Sequence, residues 1–434
     1  MNIRRIVKLL ICCAGLYILC SCAGNIISAS RDGDFQEVNK LIAEGRDVNT
    51  ADRGDRDTTP LMAAAEKGHK DIVTLLVQKG ANVNSQSRDG FTPLHFAAMK
   101  GHKDIVTLLA QKGANVNNQN RDGFAPLHFA AMEGHKDVVT LLVQKGANVN
   151  SQNRDGFTPL HFAAENGLID IAEILIKNGA DINTRSRLGL VPLMCAAKNG
   201  KNDIMEFLIS KGADINCKDN KGNSVIFSSI RNDHLSSLKL LMKHGINLET
   251  RSNEGVTPLM CAAYYGSSKT VDFLLKQGVN VNERTPLGYS ALTYSVMYIA
   301  NMSIEFEPTI MIMLMKAGAD VSVKDVSGKT ILQIARETSY KSQREIRSGE
   351  RNPVELSPLH RGPERRGMDK QASKSFGQSY GTVLQGQTQR AMESQATQNL
   401  DAALGNIGEG ISDAIMIRNR INKIDSILKT NYKL

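Results

Sequence analysis

The chain has 434 residues, a formal net charge of +9 and seven cysteines. That length allows about three ordinary domains or one long repeat array. The charge lies at the two ends: residues 1–21 carry Arg4, Arg5 and Lys8 and no acid, the segment from Lys329 onward carries 17 basic and 11 acidic residues, and the stretch between has 33 of each. A nucleic-acid binder concentrates positive charge on its folded body, so a neutral body argues against a polyanion partner.

At the N-terminus, Met1 to Lys8 is basic, Leu9 to Leu19 is apolar, and small residues follow at Ser21, Ala23 and Gly24. That is the order of a secretory signal, and the apolar stretch is short for a spanning helix of ~20 residues. Leu19-Cys20-Ser21-Cys22 resembles the lipobox of bacterial lipoproteins, with Leu19 three before the last cysteine and Ser21 just before it. The resemblance implies that residues 1–21 are removed and that Cys22 becomes a lipidated first residue. Several acyl chains there would hold a soluble body at a bilayer, each buried methylene adding about 0.8 kcal/mol. An ordinary cleaved signal or an uncleaved anchor is the other reading. Cys12, Cys13 and Cys20 share this segment with Cys22. The remaining cysteines, Cys195, Cys217 and Cys261, make neither a disulfide framework nor a CxxC metal pair.

A period of 33 residues follows. The threonine of a TPL string, or its substitute, falls at Thr59, Thr92, Ala125, Thr158, Val191, Ser224, Thr257 and Ser290. Thr330 comes after 40, so about seven residues are inserted between Tyr298 and Pro308. Ile27 to Val48 reads as a degenerate first unit, which makes nine or ten units between about residues 27 and 345. Within a unit, Thr92 can cap a first helix and Pro93 sits where a missing N–H costs nothing. Leu94, Phe96, Ala97 and Ala98 form its apolar face, and Gly101 breaks it. Asp104 begins a second helix at the positive end of its dipole. Ile105, Val106, Leu108 and Leu109 have helical spacing, and Gly113 ends it. Neither helix can bury its face alone, whereas stacked copies can.

The T-P-L-H-x-A string at a 33-residue step, with the Gly-Ala-Asn/Asp-Val/Ile-Asn ending, resembles the ankyrin-repeat family. The resemblance covers about three quarters of the chain. It implies an all-α ankyrin-repeat solenoid over residues 22–345, built of paired short helices with β-hairpin-like turns, which binds a protein partner on its concave side through turn tips and first helices.

The histidines of that string, His95, His128 and His161, invite a chemical reading. Their position holds Met62, Met194, Phe227, Met260, Thr293 and Gln333 in other units. Methionine and phenylalanine cannot serve as imidazole ligands or bases, but they can fill the same gap. Helices stack roughly 8–10 Å apart, too far for neighbouring histidines to meet on one zinc at about 2.0–2.1 Å. The family resemblance implies that these histidines hydrogen-bond between repeats. A second set, His69, His102 and His135, follows the inter-helix glycine, and Asn202 and Ser268 are read as its substitutes elsewhere. Cys195 and Cys261 stand in the place of Phe96 as small fillers. There is no phosphate loop and no nucleophile elbow, so no catalytic residue, metal site, cofactor or small-molecule substrate is expected.

Partner contacts are expected where tips repeat Arg88-Asp89-Gly90-Phe91, Arg121-Asp122-Gly123-Phe124 and Arg154-Asp155-Gly156-Phe157. Arginine and aromatic side chains are preferred interface anchors; recent duplication of these units would produce the same rows with no binding role. Tyr264 and Tyr265, at the end of one inner helix, join the candidates. The unit from Asn223 to Gly255 departs most from the pattern and reads as a softer joint. The insertion is methionine-rich, with Met297, Met302, Met311, Met313 and Met315, which suits either an adaptable surface or a lengthened helix pair.

Residues 346–400 are rich in Arg, Ser, Gln, Gly and Pro, the composition of a disordered linker. In 401–434, Ile411, Ala414, Ile417, Ile421, Ile424 and Leu428 fall at steps of three and four, predicting one amphipathic helix beside Arg418, Arg420, Lys423 and Lys429. It could cap the array, self-associate or lie on a membrane. The expected function is a non-enzymatic scaffold, lipid-anchored in a bacterial envelope, periplasmic or surface-facing. An exported effector acting on host proteins is the alternative, and an enzyme hidden in the tail is a third.

Overall fold

The computed structural model describes residues 25–52, 54, 56–301, 308–335, 337 and 426. The signal segment with Cys22, the linker 346–400 and nearly all of 401–434 lie outside the described residues. Among the described residues, nine helix pairs run from Ile26–Asp32 with Phe35–Ala43 to Ala291–Asn301 with Thr309–Lys316, and the first helix of a tenth unit begins at 331–335. Among the described residues there is no strand. The hairpin-like tips carry only isolated antiparallel bridges, Asp52 with Thr58, Lys218 with Ser224 and Lys324 with Thr330. The chain forms two compact units, one ending at Ser186 and the other beginning at Arg187.

Each pair follows from its sequence. Pro93 opens the helix Pro93–Met99 after an extended Thr92, and Pro126, Pro159, Pro192 and Pro258 do the same. The first helices bury Leu61, Leu94, Leu127, Leu160, Leu193 and Leu259, and behind these the alanine pairs Ala97–Ala98, Ala130–Ala131 and Ala163–Ala164 are fully buried. Small residues let neighbouring helices close to contact, so each leucine gains roughly 1.5–3 kcal/mol of burial. The second helix is amphipathic: in Lys103–Gln111, Ile105, Val106 and Leu109 are buried and Asp104 lies in the first turn.

Successive units are also joined by polar clips. The last asparagine of each Gly-Ala-Asn-Val-Asn string reaches the next unit with both ends of its amide. Asn84 Nδ2 donates to the Gly113 carbonyl at 3.1 Å, and its Oδ1 accepts from the Asn115 N–H at 2.8 Å. Asn117 holds Gly146 and Asn148 in the same way, Asn150 holds Gly179 and Asp181, and Asn282 holds Gly318 and Asp320. At the tips, the Arg121 N–H donates to the Asp89 carbonyl at 2.9 Å and the Arg154 N–H to that of Asp122 at 2.8 Å. Gly90 is needed there twice over. Its φ is +82°, and a Cβ would sit 2.9 Å from the Arg121 nitrogen.

The unit 223–255 lacks several of these devices. Its first helix, Val225–Ile230, has six residues, and Ser224 gives it no side-chain cap. The buried Ser224 Oγ has no hydrogen-bond partner. The exposed Asn216 that precedes it makes no clip, and Glu249 stands where the following clip would be. The next unit in each case carries a β-branched residue, Ile246 or Val279, where clipped units carry alanine or, at Ala319, alanine again. Asp233 takes the left-handed φ of +53° where other units have glycine.

Candidate protein-binding surface

The inner histidines are part of the frame. His95 is fully buried. Its Nδ1 accepts from the Thr92 N–H at 3.0 Å, with Thr92 Oγ1 at 2.8 Å, and its Nε2–H donates to the Phe124 carbonyl of the next unit at 3.0 Å. His128 repeats the arrangement with the Ala125 N–H and the Phe157 carbonyl. Burial pushes both imidazoles down to a pKa of about 4, against the partial support of those carbonyls. A neutral ring with both nitrogens committed to backbone has neither a lone pair for a metal nor a proton to give. Where the position holds methionine, the Met260 Sδ accepts from the Thr257 N–H at 3.4 Å.

The outer histidines point backward. His69 Nε2 lies 3.1 Å from the Arg31 carbonyl, His102 Nε2 3.1 Å from that of Glu66, and His135 Nε2 3.0 Å from that of Met99. Each ring also lies over the glycine that ends the preceding unit's first helix, His102 over Gly68 and His135 over Gly101. The sequence register was one residue late here. The equivalents of His69 are Leu168, Lys201, His234 and Ser267, not Asn202 and Ser268, because the second helix begins one residue beyond its cap. Ser267 keeps the polar link, its Oγ donating to the Ile230 carbonyl at 2.9 Å.

The tip phenylalanines are half-buried rather than fully exposed. Phe91 packs against Phe96 of its own unit and Phe129 of the next, at 5.5 Å each; Phe124 packs against Phe129 at 5.3 Å and Phe162 at 5.7 Å; Phe157 meets Phe162 at 5.9 Å. Six rings thus form one ladder along three consecutive units, with His95, His128 and His161 edge-on to it. Arg88, Arg121 and Arg154 are exposed on the adjoining tips. Arg88 lies 3.5 Å from Asp57, and Arg56 lies 3.8 Å from Asp89, so that end of the row is crossed by ion pairs. At the surface of these tips stand the half-buried rings of Phe91, Phe124 and Phe157, bordered by guanidinium groups, while Phe129 is fully buried beneath them.

Tyr264 and Tyr265 belong to the second compact unit. Tyr265 is turned inward: its hydroxyl accepts from Arg231 Nε at 3.1 Å, and that guanidinium lies 5.5 Å from its ring centre. Burial raises its hydroxyl pKa to about 12. Tyr264 meets Tyr265 at 5.3 Å and Tyr294 at 6.0 Å, both nearly perpendicular. Cys195, Cys217 and Cys261 are buried, and none forms a disulfide among the described residues; burial raises the Cys261 thiol to about 12, where no reactive thiolate forms. In the insertion, Met302 lies outside the described residues. The helix Ala291–Asn301 is lengthened to eleven residues, and Met311 and Met315 are buried in the core.

Sequence reasoning missed the asparagine clips. Their signal was present: an exposed amide recurring at a strict 33-residue step has to answer to the neighbouring copy, because nothing within its own unit requires it.

Comparison with known proteins agrees with this geometry. The family model for ankyrin repeats (3 copies) matches residues 26–120, 112–186 and 193–285. Human histone-lysine N-methyltransferase EHMT1 is 41% identical over 61 residues, 14% of this chain and 5% of that protein. The rice probable E3 ubiquitin-protein ligase XBOS33 is 42% identical over 72 residues, 16% of this chain and 14% of that one. The Drosophila ankyrin repeat and KH domain-containing protein mask is 36% identical over 66 residues, 15% and 2% respectively. The chain therefore covers only a small part of these relatives' length. With helix pairs, capping prolines and inter-repeat ties in place and the family match covering more than half of its residues, this chain belongs to the ankyrin-repeat family.

Proposed function

We propose that this protein is a non-enzymatic docking scaffold whose first compact unit holds a protein partner along the tip and first-helix side. One observation carries the reading: three consecutive tips present Arg88, Arg121 and Arg154 beside the half-buried rings of Phe91, Phe124 and Phe157, which are braced by the fully buried Phe129 and by Phe162. Rings already locked by their neighbours lose little entropy on binding, and arginine can pair with carboxylates at the rim. The imidazoles of His95 and His128 are spent on backbone.

We further propose that the scaffold is held at a bacterial envelope through lipid on Cys22. The support is the basic, apolar and small-residue order of residues 1–24 and the Leu19-to-Cys22 string. Among the described residues, no helix is long and apolar enough to cross a membrane.

The experiment is cross-linking capture with the full chain in its native cell, repeated with Arg88→Glu, Arg121→Glu and Arg154→Glu together. These side chains are exposed, so thermal unfolding should be unchanged while one cross-linked partner disappears. An identical catch from both proteins removes the row from the reading. Palmitate labelling that persists in Cys22→Ala removes the anchor.

A further inference from the structure

The second compact unit carries an unusual surface of its own. Leu287 is 55% exposed and Val326 is 70% exposed, and both sit on hairpin tips. The tips are neighbours: the Val326 N–H donates to the Leu287 carbonyl at 3.2 Å. At the Leu287 position other tips carry Asp89, Asp122, Asp155, Lys221, Glu254 or Ser327, and the one other leucine there, Leu188, is half-buried where Leu287 is exposed. Beside the pair, Tyr289 and Tyr294 meet at 6.0 Å and 87°, and Tyr294 continues to Tyr264. Acids border the rings. Glu254 lies near enough to Tyr294, and Asp325 near enough to Tyr289, to add to the burial that raises those hydroxyls. The patch is apolar in the middle and aromatic on one side; at its edge Glu254, Asp325 and Glu337 outnumber Lys329, which is paired with Glu337. Apolar side chains gathered at such exposure mark a contact site.

The same chain holds a segment of matching chemistry. The stretch 411–428 spaces Ile411, Ala414, Ile417, Ile421, Ile424 and Leu428 for one helical face, with Arg418, Arg420, Lys423 and Lys429 beside it. The net positive charge of the sequence beyond its first residues is gathered after Lys329, while the array itself is neutral. Residues 338–410 join segment and patch covalently and are long enough to return to it, which raises the local concentration to roughly the millimolar range. Lysine and arginine side chains over tyrosine faces gain cation–π attraction, and more where acids lie close by.

We propose that the C-terminal segment 411–428 docks on the Leu287–Val326–Tyr289 patch of its own chain, isoleucines inward and basic side chains toward Glu254 and Asp325. The contact covers the apolar tips and closes the last described units of the array. It is separate from the arginine–phenylalanine strip and does not depend on it.

The test uses full-length protein. Carbodiimide cross-linking joins carboxylates to amines with no spacer, so it should link Glu254 or Asp325 to Lys423 or Lys429 within one chain. Amides of residues 289–296 should exchange more slowly in the wild type than in a variant carrying Ile417→Asp and Ile421→Asp. Leu287→Asp with Val326→Asp, both at exposed positions, should abolish the same cross-links while leaving the unfolding temperature of the array in place. Equal exchange and equal links in wild type and both variants overturn the proposal. So do links found only between differently labelled copies, which would make the patch a dimer contact, or protection that appears only with anionic lipid vesicles, which would make the segment a membrane element.

Discussion

The Nε2–H of His95 donates to the carbonyl of Phe124, 3.0 Å away and 29 residues on. On its other side, the same ring accepts from the Thr92 N–H. One side chain thus caps its own helix and ties it to the next unit. In a repeat array, stability is close to a sum of unit terms and nearest-neighbour terms, and His95 contributes to both.

Replacing His95 with alanine leaves a buried N–H and a buried carbonyl without this partner and opens a cavity. The expected loss is on the order of 3 kcal/mol. His95→Met should cost much less, because Met260 fills the equivalent position and its sulfur accepts the Thr257 N–H. Urea denaturation of the three proteins measures the difference; equal losses would show that the imidazole bonds contribute little beyond volume.

Acid should weaken the array through the same residues. The folded pKa values of His95 and His128 are about 4, below the ordinary 6.5. A depressed folded pKa means the unfolded chain takes up protons first. The stability these rings contribute is therefore complete above about pH 6.5 and is lost as pH falls toward 4, by at most about 3 kcal/mol per ring. A double His95→Met, His128→Met variant should show a flatter loss between pH 7 and pH 4.5. Parallel curves for variant and wild type would assign acid sensitivity to other groups.

Much of this frame was legible in the sequence because it is written within one unit. Thr92-Pro93 announces a capped helix, Gly101 announces its end and Gly113 that of the second helix, and a position shared by His95, Met62 and Phe227 announces packing. Apart from the inter-repeat histidine bond that the family resemblance implies, what failed were contacts spanning two units. Phe91 looks like an exposed tip residue until Phe129, 38 positions on, is laid against it. Asn84 reads as a polar turn residue, yet its amide is made for Gly113 and Asn115. The start of each second helix slipped by one residue because its cap is often histidine, which lacks the capping signature of serine or aspartate.

The asparagine clips offer a stability change in both directions. Asn117→Ala removes two bonds to the next unit and should cost about 1–2 kcal/mol, little more because the site is exposed. Glu249→Asn combined with Val279→Ala recreates the clipped arrangement one step after the weak unit and should add about 1 kcal/mol. Both follow from denaturation midpoints at constant m-value. If the paired substitution adds nothing, β-branched bulk at Ile246 and Val279 is not what keeps the clip open.

The unit 223–255 should be the most easily opened part of the second compact unit. Its first helix has six residues, its cap serine is buried without a partner, and Phe227 cannot make the bond that His95 makes. Local opening energies scale with such ties, so amides of Val225–Ile230 should exchange faster than those of the helix Pro258–Tyr265. Ser224→Thr with Phe227→His places a donor toward the Val256 carbonyl, which now receives the Ser252 N–H. The exchange difference should then narrow, with about 1 kcal/mol gained. Should the two helices already exchange at equal rates in the wild type, the bonds that Asp233 makes to Thr270 and Ser267 makes to Ile230 compensate in full, and the soft joint is only a sequence irregularity.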